Sequence, residues 1–138
     1  MIKIYSKNCE HILRIVGRIP KKEHARVFLA KDLCRKARVS ESSARKGLQV
    51  LVQGKILKAV PGPGGGYKFS QHPKNVSLVS IVYILDGETA FRRCIMGLHQ
   101  CSDTQPCPMH GTWKHLRAEL IKALAEKTLF DLMKEDKE

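Results

Sequence analysis

The run Pro61-Gly62-Pro63-Gly64-Gly65-Gly66 restricts this chain more than any other stretch. Proline removes a backbone donor and glycine weakens regular structure, so the run forms neither helix nor regular strand. Ile56-Leu57-Lys58-Ala59-Val60 precedes it and Tyr67-Lys68-Phe69 follows, which predicts two short strands joined by a glycine-rich tip. A phosphate loop would need a Lys-Ser/Thr pair and an opening helix after the last glycine. Tyr67 stands there instead, and a nucleotide site is not expected. A tip without side chains can approach the backbone or minor groove of DNA closely. The plainer alternative is a flexible hairpin end that touches nothing.

The residues upstream give the hairpin its context. Ala30 to Ala37 reads as a short helix with Leu33 and Cys34 inward, and Arg38-Val39-Ser40 as a turn. Ser40 is an N-cap for a second helix from Glu41 to about Gln53, with Ala44, Leu48, Leu51 and Val52 on its apolar face and Gly54 at its end. Two short helices joined by a tight turn, the second basic on its outer face, suggest a helix-turn-helix. Followed by the hairpin, they make a winged helix. Residues 4 to 19 predict a further amphipathic helix through Ile4, Ile12, Leu13, Val16 and Ile19, capped by Ser6 and ending near Gly17 and Pro20. Arg26 to Leu29 is a short strand or an extended lead-in. The fold class expected is mainly α with a small β-hairpin wing, the winged helix-turn-helix DNA-binding domain occupying residues 1–75.

Charge supports that division. Residues 1–75 hold 17 Lys and Arg against 4 Asp and Glu, and residues 76–138 hold 8 against 9. Segregated positive charge points to a polyanion, with nucleic acid ahead of an anionic membrane surface. No apolar run approaches the roughly 18 residues that span a bilayer, and the start of the chain lacks a signal-peptide core, which gives a cytoplasmic expectation.

Residues 76–138 differ in kind. Val76 to Leu85 predicts a helix capped by Ser77 and stopped by Asp86-Gly87. Cys94, Cys101, Cys107 and His110 then fall in a stretch with Gly97, Pro106 and Pro108, a loop able to wrap thiolates and an imidazole around iron in a cluster or around zinc. Five cysteines in a reducing compartment favour metal or redox chemistry over a disulfide framework. From Thr112 to about Lys127, Trp113, Leu116, Leu120, Ile121 and Leu124 recur at helical spacing. So small a domain has little core to cover this stripe, and packing against the same helix of a second chain is expected. Thr128 to Met133 adds a short helix.

A winged helix, the wing sequence Gly62-Pro63-Gly64-Gly65-Gly66-Tyr67, a helix ending in Asp86-Gly87, three cysteines and a long helix together resemble the Rrf2 family of bacterial transcription regulators, in its cluster-binding IscR-, NsrR- and RirA-like branches. The resemblance covers nearly the whole chain. It implies a homodimer with crossed long helices, repressing or activating at a double-stranded DNA operator, with no enzymatic activity and no membrane partner. An iron-sulfur cluster, 2Fe-2S ahead of 4Fe-4S, would adjust DNA affinity to iron, redox or nitric oxide status.

Cys94, Cys101 and Cys107 match the family cysteines, with a first gap of six residues where five is commoner. His110 falls where IscR-like members place a histidine ligand. NsrR-like members take an acidic ligand from the first helix of the other subunit, a position that aligns with Glu10, beside Cys9. His110, Cys9 and Glu10 are thus three candidates for the fourth ligand. His110 comes first because its spacing from Cys107 reproduces a local motif.

For DNA, Ser40, Glu41, Ser42 and Ser43 form the leading end of the reading helix and Arg45 and Lys46 its face, while Gly64, Gly65, Gly66 and Tyr67 form the wing. Arg45 stands where IscR-like members carry a base-selecting glutamate, so a guanine contact and a different operator are expected. Pro61 replaces an arginine common before the wing turn. Lys3, Lys7, Lys31, Arg35, Lys36, Arg38, Lys55 and Lys58 are phosphate contacts or solvated charge. Two other readings remain. In one, Cys94, Cys101, Cys107 and His110 hold a structural zinc and nothing is sensed. The other, an enzyme with a cysteine nucleophile, lacks a catalytic motif and leaves the DNA-binding half unexplained.

Overall fold

The computed structural model describes residues 4–93, 95, 96, 103, 104 and 106–135. Helix α1 (Lys7–Val16) begins where the Ser6 side chain accepts the Cys9 N–H and ends at Gly17, with the cap and the stop where the sequence suggested them. Ile19 lies beyond it yet is buried. Helices α2 (Ala30–Ala37) and α3 (Glu41–Gln53) keep their predicted bounds. Arg38 adopts the left-handed conformation between them, and Arg14 of α1 donates through Nη2 to the Ala37 carbonyl at 2.6 Å, satisfying the end of α2.

Strands β1 (Leu57–Val60) and β2 (Gly66–Phe69) pair antiparallel, Leu57 opposite Phe69 and Val60 opposite Gly66. Residues 61–65 therefore form the tip. The Arg26–Leu29 stretch resolves as an extended lead-in that makes one bridge, Phe28 to Tyr67, and so braces the wing from its outer edge.

Helix α4 (Leu78–Asp86) starts after the Ser77 cap, which accepts the Ser80 N–H at 3.2 Å. Val76 stays extended because its carbonyl accepts from Leu129. Helix α5 (His110–Glu126) opens two residues earlier than the sequence suggested, and α6 (Leu129–Leu132) follows behind a Thr128–Asp131 capping box. No helix among the described residues is long and apolar enough to cross a membrane.

The main core gathers Ile12, Ile15, Leu33, Leu48, Leu51 and Phe69 with Ile81, Leu129 and Met133 from the C-terminal half. Residues 134 and 135 are fastened down by backbone hydrogen bonds between Lys21 and Lys134 and between Lys134 and Ile19, and by an ion pair of Lys21 with Glu135. A second core joins Cys9, Val82 and Phe91, with Leu120, Ile121 and Leu124 of α5 packed against it. Part of the α5 stripe is thus covered by the chain's own α1 and α4. Leu116 remains half exposed.

Candidate nucleic-acid interface and cysteine segment

Burial sorts α3 into two faces. Ala44, Gly47, Leu48 and Leu51 enter the core, and Ser42, Arg45, Lys46 and Gln49 face outward. At its start the Ser40 hydroxyl accepts the Ser43 N–H at 3.3 Å and donates to the Ser43 hydroxyl at 2.8 Å. The Arg45 guanidinium holds Glu41 Oε1 through Nη2 at 2.5 Å and Nε at 3.2 Å. That hydrogen bond, followed by the carboxylate charge itself, raises the proton affinity of Arg45 further. The exposed face presents two cations, the Ser42 hydroxyl and the Gln49 amide, with Glu41 neutralised by one of the cations.

The wing lies close by, held by steric necessity. The Gly65 N–H donates to the Gly62 carbonyl at 2.9 Å, and a Cβ at Gly65 would fall 2.1 Å from the Val60 carbonyl oxygen. A Cβ at Gly66 would fall 2.2 Å from the Phe28 carbonyl oxygen. Phe28 donates to the Tyr67 carbonyl at 2.7 Å and accepts from the Tyr67 N–H at 2.9 Å, with the two rings 6.1 Å apart. Sequence reasoning missed this pairing, although the extended character of residues 26–29 was the signal for it. Pro61, Gly62, Pro63 and Gly64 are exposed at the tip.

Of the cysteine segment, Cys94 and Cys101 lie outside the described residues, as does His99. Cys107 is a half-buried free thiol, and its carbonyl accepts the His110 N–H at 3.0 Å, so Cys107-Pro108-Met109-His110 forms one turn at the start of α5. The His110 side chain is 14% exposed, with Nε2 2.7 Å from Asp103 Oδ1. Lys114 Nζ reaches the same carboxylate at 3.0 and 3.2 Å. The bond from His110, then Lys114, holds the Asp103 carboxyl below the usual carboxylate range. A carboxylate against one ring nitrogen is how metal-bound histidines are commonly oriented. The donor set described here, one soft thiol and one imidazole in one turn, suits iron in a cluster or zinc. Among the described residues no three potential ligands converge.

Cys9 and Glu10 occupy different environments. Cys9 is fully buried against Val82 and Phe91, and burial, followed by the charges of Asp86 and Glu10, pushes its thiol up to about 12. Glu10 is half-buried.

A continuous set of contacts runs from Arg93, beside the cysteine segment, to α3. Trp113 Nε1 donates to the Arg93 carbonyl at 3.0 Å and Arg117 Nη1 to the Phe91 carbonyl at 3.2 Å. Phe91 meets Tyr83 and Tyr5 edge to face, and Tyr5 leads into α1. Helix α1 lies so close to α3 that a Cβ on Gly47 would sit 2.5 Å from Ile12 Cγ1.

A family model described as Rrf2, iron-dependent transcriptional regulator, matches residues 5–135. A Rhodopseudomonas palustris protein named BadM is 37% identical over 57 residues, 41% of this chain and 36% of that one. The HTH-type transcriptional regulator IscR of Vibrio atlanticus is 24% identical over 105 residues, 76% of this chain and 60% of that one. The chain thus spans between about a third and two thirds of the length of these relatives. The solved structure of CymR, the global cysteine regulator of B. subtilis, superposes with a TM-score of 0.75 at 20% identity, covering 96% of each chain.

Proposed function

The chain belongs to the Rrf2 family of transcriptional regulators, and from that premise we propose that it is a homodimeric DNA-binding regulator whose operator affinity is set by an iron-sulfur cluster held by Cys94, Cys101, Cys107 and His110. The observation that carries the DNA part is the exposed basic face of α3 standing beside a side-chain-free wing, in the half of the chain that holds the positive charge. Helix α3 enters the major groove with Arg45 at a base edge and Ser42 and Lys46 toward the flanking backbone, and Gly64, Gly65 and Gly66 let the wing follow the backbone. The half-exposed Leu116 and its neighbours on α5 supply the dimer surface.

The cluster part rests on the Cys107–His110 turn and on the state of Cys9. A ligand must be a thiolate, and Cys9 is a buried thiol that resists ionisation. His110 already stands in the same turn as Cys107, so it is preferred as fourth ligand, with Glu10 from the partner subunit next. A bound cluster supplies a redox- and nitric-oxide-reactive centre that is easier to lose when one ligand is an imidazole. The chain itself supplies the transmission: a change in the geometry of residues 94–110 moves Arg93 and Phe91, and through Tyr5 and α1 reaches α3.

Anaerobic purification followed by visible spectroscopy and operator selection tests both parts. A brown protein whose DNA affinity differs between holo and apo forms is expected. Equal affinity of the two forms would defeat the sensor, and a colourless protein containing zinc would make the metal structural. Full cluster retention in His110→Ala, with loss in Glu10→Ala or Cys9→Ala, would reassign the fourth ligand.

A further inference from the structure

The first two turns of α1 and α3 flank an open pocket of about 370 Å³ lined by Lys7, Asn8, His11, Ser42, Ser43 and Lys46. We propose that this pocket is a phosphodiester site, a DNA-backbone clamp built by α1 and not by the helix-turn-helix alone. The proposal rests on the DNA-binding reading above and names a contact within it.

Four observations converge. The lining holds two lysines, two hydroxyls, an amide and an imidazole, and no carboxylate, the complement expected of an anion site. Ser43 already accepts from the Ser40 hydroxyl, so its own proton is left to donate. His11 lines the same wall, and its Nδ1 is closed off from solvent without a hydrogen-bond partner, so no bond through that atom prevents the ring from turning to present it to an anion. Gly47 lets the two helices meet closely: Ile12 Cγ1 and Asn8 Oδ1 would lie 2.5 and 3.0 Å from a Cβ there, which fixes the Asn8 side of the pocket against α3. The pocket lies one turn or less from Arg45 along α3, where a strand crossing the reading helix would place a phosphate. Lys7 and Lys46 balance its charge while Ser43, Asn8 and His11 supply further donors. The contact sets register and affinity, not sequence.

Fluorescence anisotropy with a labelled mixed-sequence duplex, read as a function of salt, tests the assignment in the full chain. Neutralising one phosphate changes the slope of log K against log salt by about 0.9. Lys7→Met and the double variant with Lys46→Met should weaken binding at low salt and flatten the slope by about that amount. Lys122→Met, exposed on α5, should match the parent. His11→Phe keeps the ring and removes the nitrogens, so affinity should fall; should it fail to fold, the exposed Lys7 variant still decides. If the parent binds duplex while both lysine variants equal it in affinity and slope, the pocket assignment is wrong and the DNA reading survives. Parent protein with no duplex binding at low salt would remove both. Inorganic phosphate titrated alone at constant ionic strength provides the other arm: phosphate binding lost in Lys7→Met with duplex binding intact would make this a free-anion site and overturn the clamp.

Discussion

The backbone N–H of Ser6 donates to Asp86 Oδ2 at 2.8 Å, and the Ser6 hydroxyl donates to the other oxygen of the same carboxylate. The residue that caps α1 is thereby tied to the last residue of α4, 80 positions away in sequence. One carboxylate satisfies a backbone donor and fixes the hydroxyl that in turn accepts from Cys9. Hydrogen bonds to a charged acceptor contribute more than neutral ones, so Asp86→Ala should lower stability by about 2–3 kcal/mol in urea unfolding. Asp86→Asn should retain part of that. An unchanged midpoint in both would show the tether to be energetically idle.

Gly47→Ala tests the α1–α3 contact. In an exposed helix the change would stabilise by up to about 1 kcal/mol. Here the new methyl would meet Ile12 at 2.5 and 2.6 Å inside the core, and overpacking costs typically about 1–3 kcal/mol. The steric effect should win, with net destabilisation on thermal denaturation. Gly47→Ala combined with Ile12→Val should recover part of the loss.

Arg45 is engaged by Glu41 in the free protein, but an exposed ion pair on one helix is weak compared with a bidentate contact to guanine. The arginine should therefore exchange partners on DNA. Arg45→Ala should reduce discrimination between the selected operator and a guanine-substituted one by about ten-fold or more, in competition binding. Glu41→Ala should raise affinity for mixed-sequence duplex, because a negative charge leaves the DNA-facing surface.

Cys9 and Cys34 are buried thiols, both shifted upward by burial as the first cause. Thiolate is the reactive form, so at mildly alkaline pH iodoacetamide should label the half-buried Cys107 of the folded apo-protein well before either of them. Mass spectrometry of timed quenches reads this directly. Labelling of Cys9 at the rate of Cys107 would return it to contention as a cluster ligand.

The Asp131 carboxyl accepts the Thr128 N–H at 2.9 Å, and this bond is the first cause holding it below the usual carboxylate range. A folded value below the unfolded one means that its contribution is fully present above the ordinary carboxylate range. The contribution fades as pH falls through the depressed value. In acid titrations, wild type and Asp131→Asn should therefore differ at neutral pH and converge below that window.

Local signals carried much of the architecture. Ser6, Ser40 and Ser77 each cap a helix as their side chains and positions suggested, and the glycine run at residues 62–66 forces the wing tip because only glycine leaves room for the Val60 and Phe28 carbonyls. The helix opening at His110 was harder to read, since Pro106 and Pro108 look like continued loop while the Met109 carbonyl in fact accepts the Trp113 N–H at 2.8 Å. Thr128 and Asp131 formed a legible capping box that pattern reading passed over.

Sequence alone determined the elements whose cause lies within a few residues: the capped helices, the hairpin, the segregation of charge and the family motifs. Tertiary structure decided what distant residues do to one another. An amphipathic stripe does not state which surface covers it, and only the fold shows Leu120, Ile121 and Leu124 packed toward Val82 and Phe91 while Leu116 stays half exposed. Cys9 looked like any cysteine in a first helix until burial beside Asp86 gave it a thiol that resists ionisation. The pocket joins Lys7 and His11 of one helix to Ser43 and Lys46 of another, and Gly47 admits Ile12 between the same two helices, steric facts that no local pattern encodes.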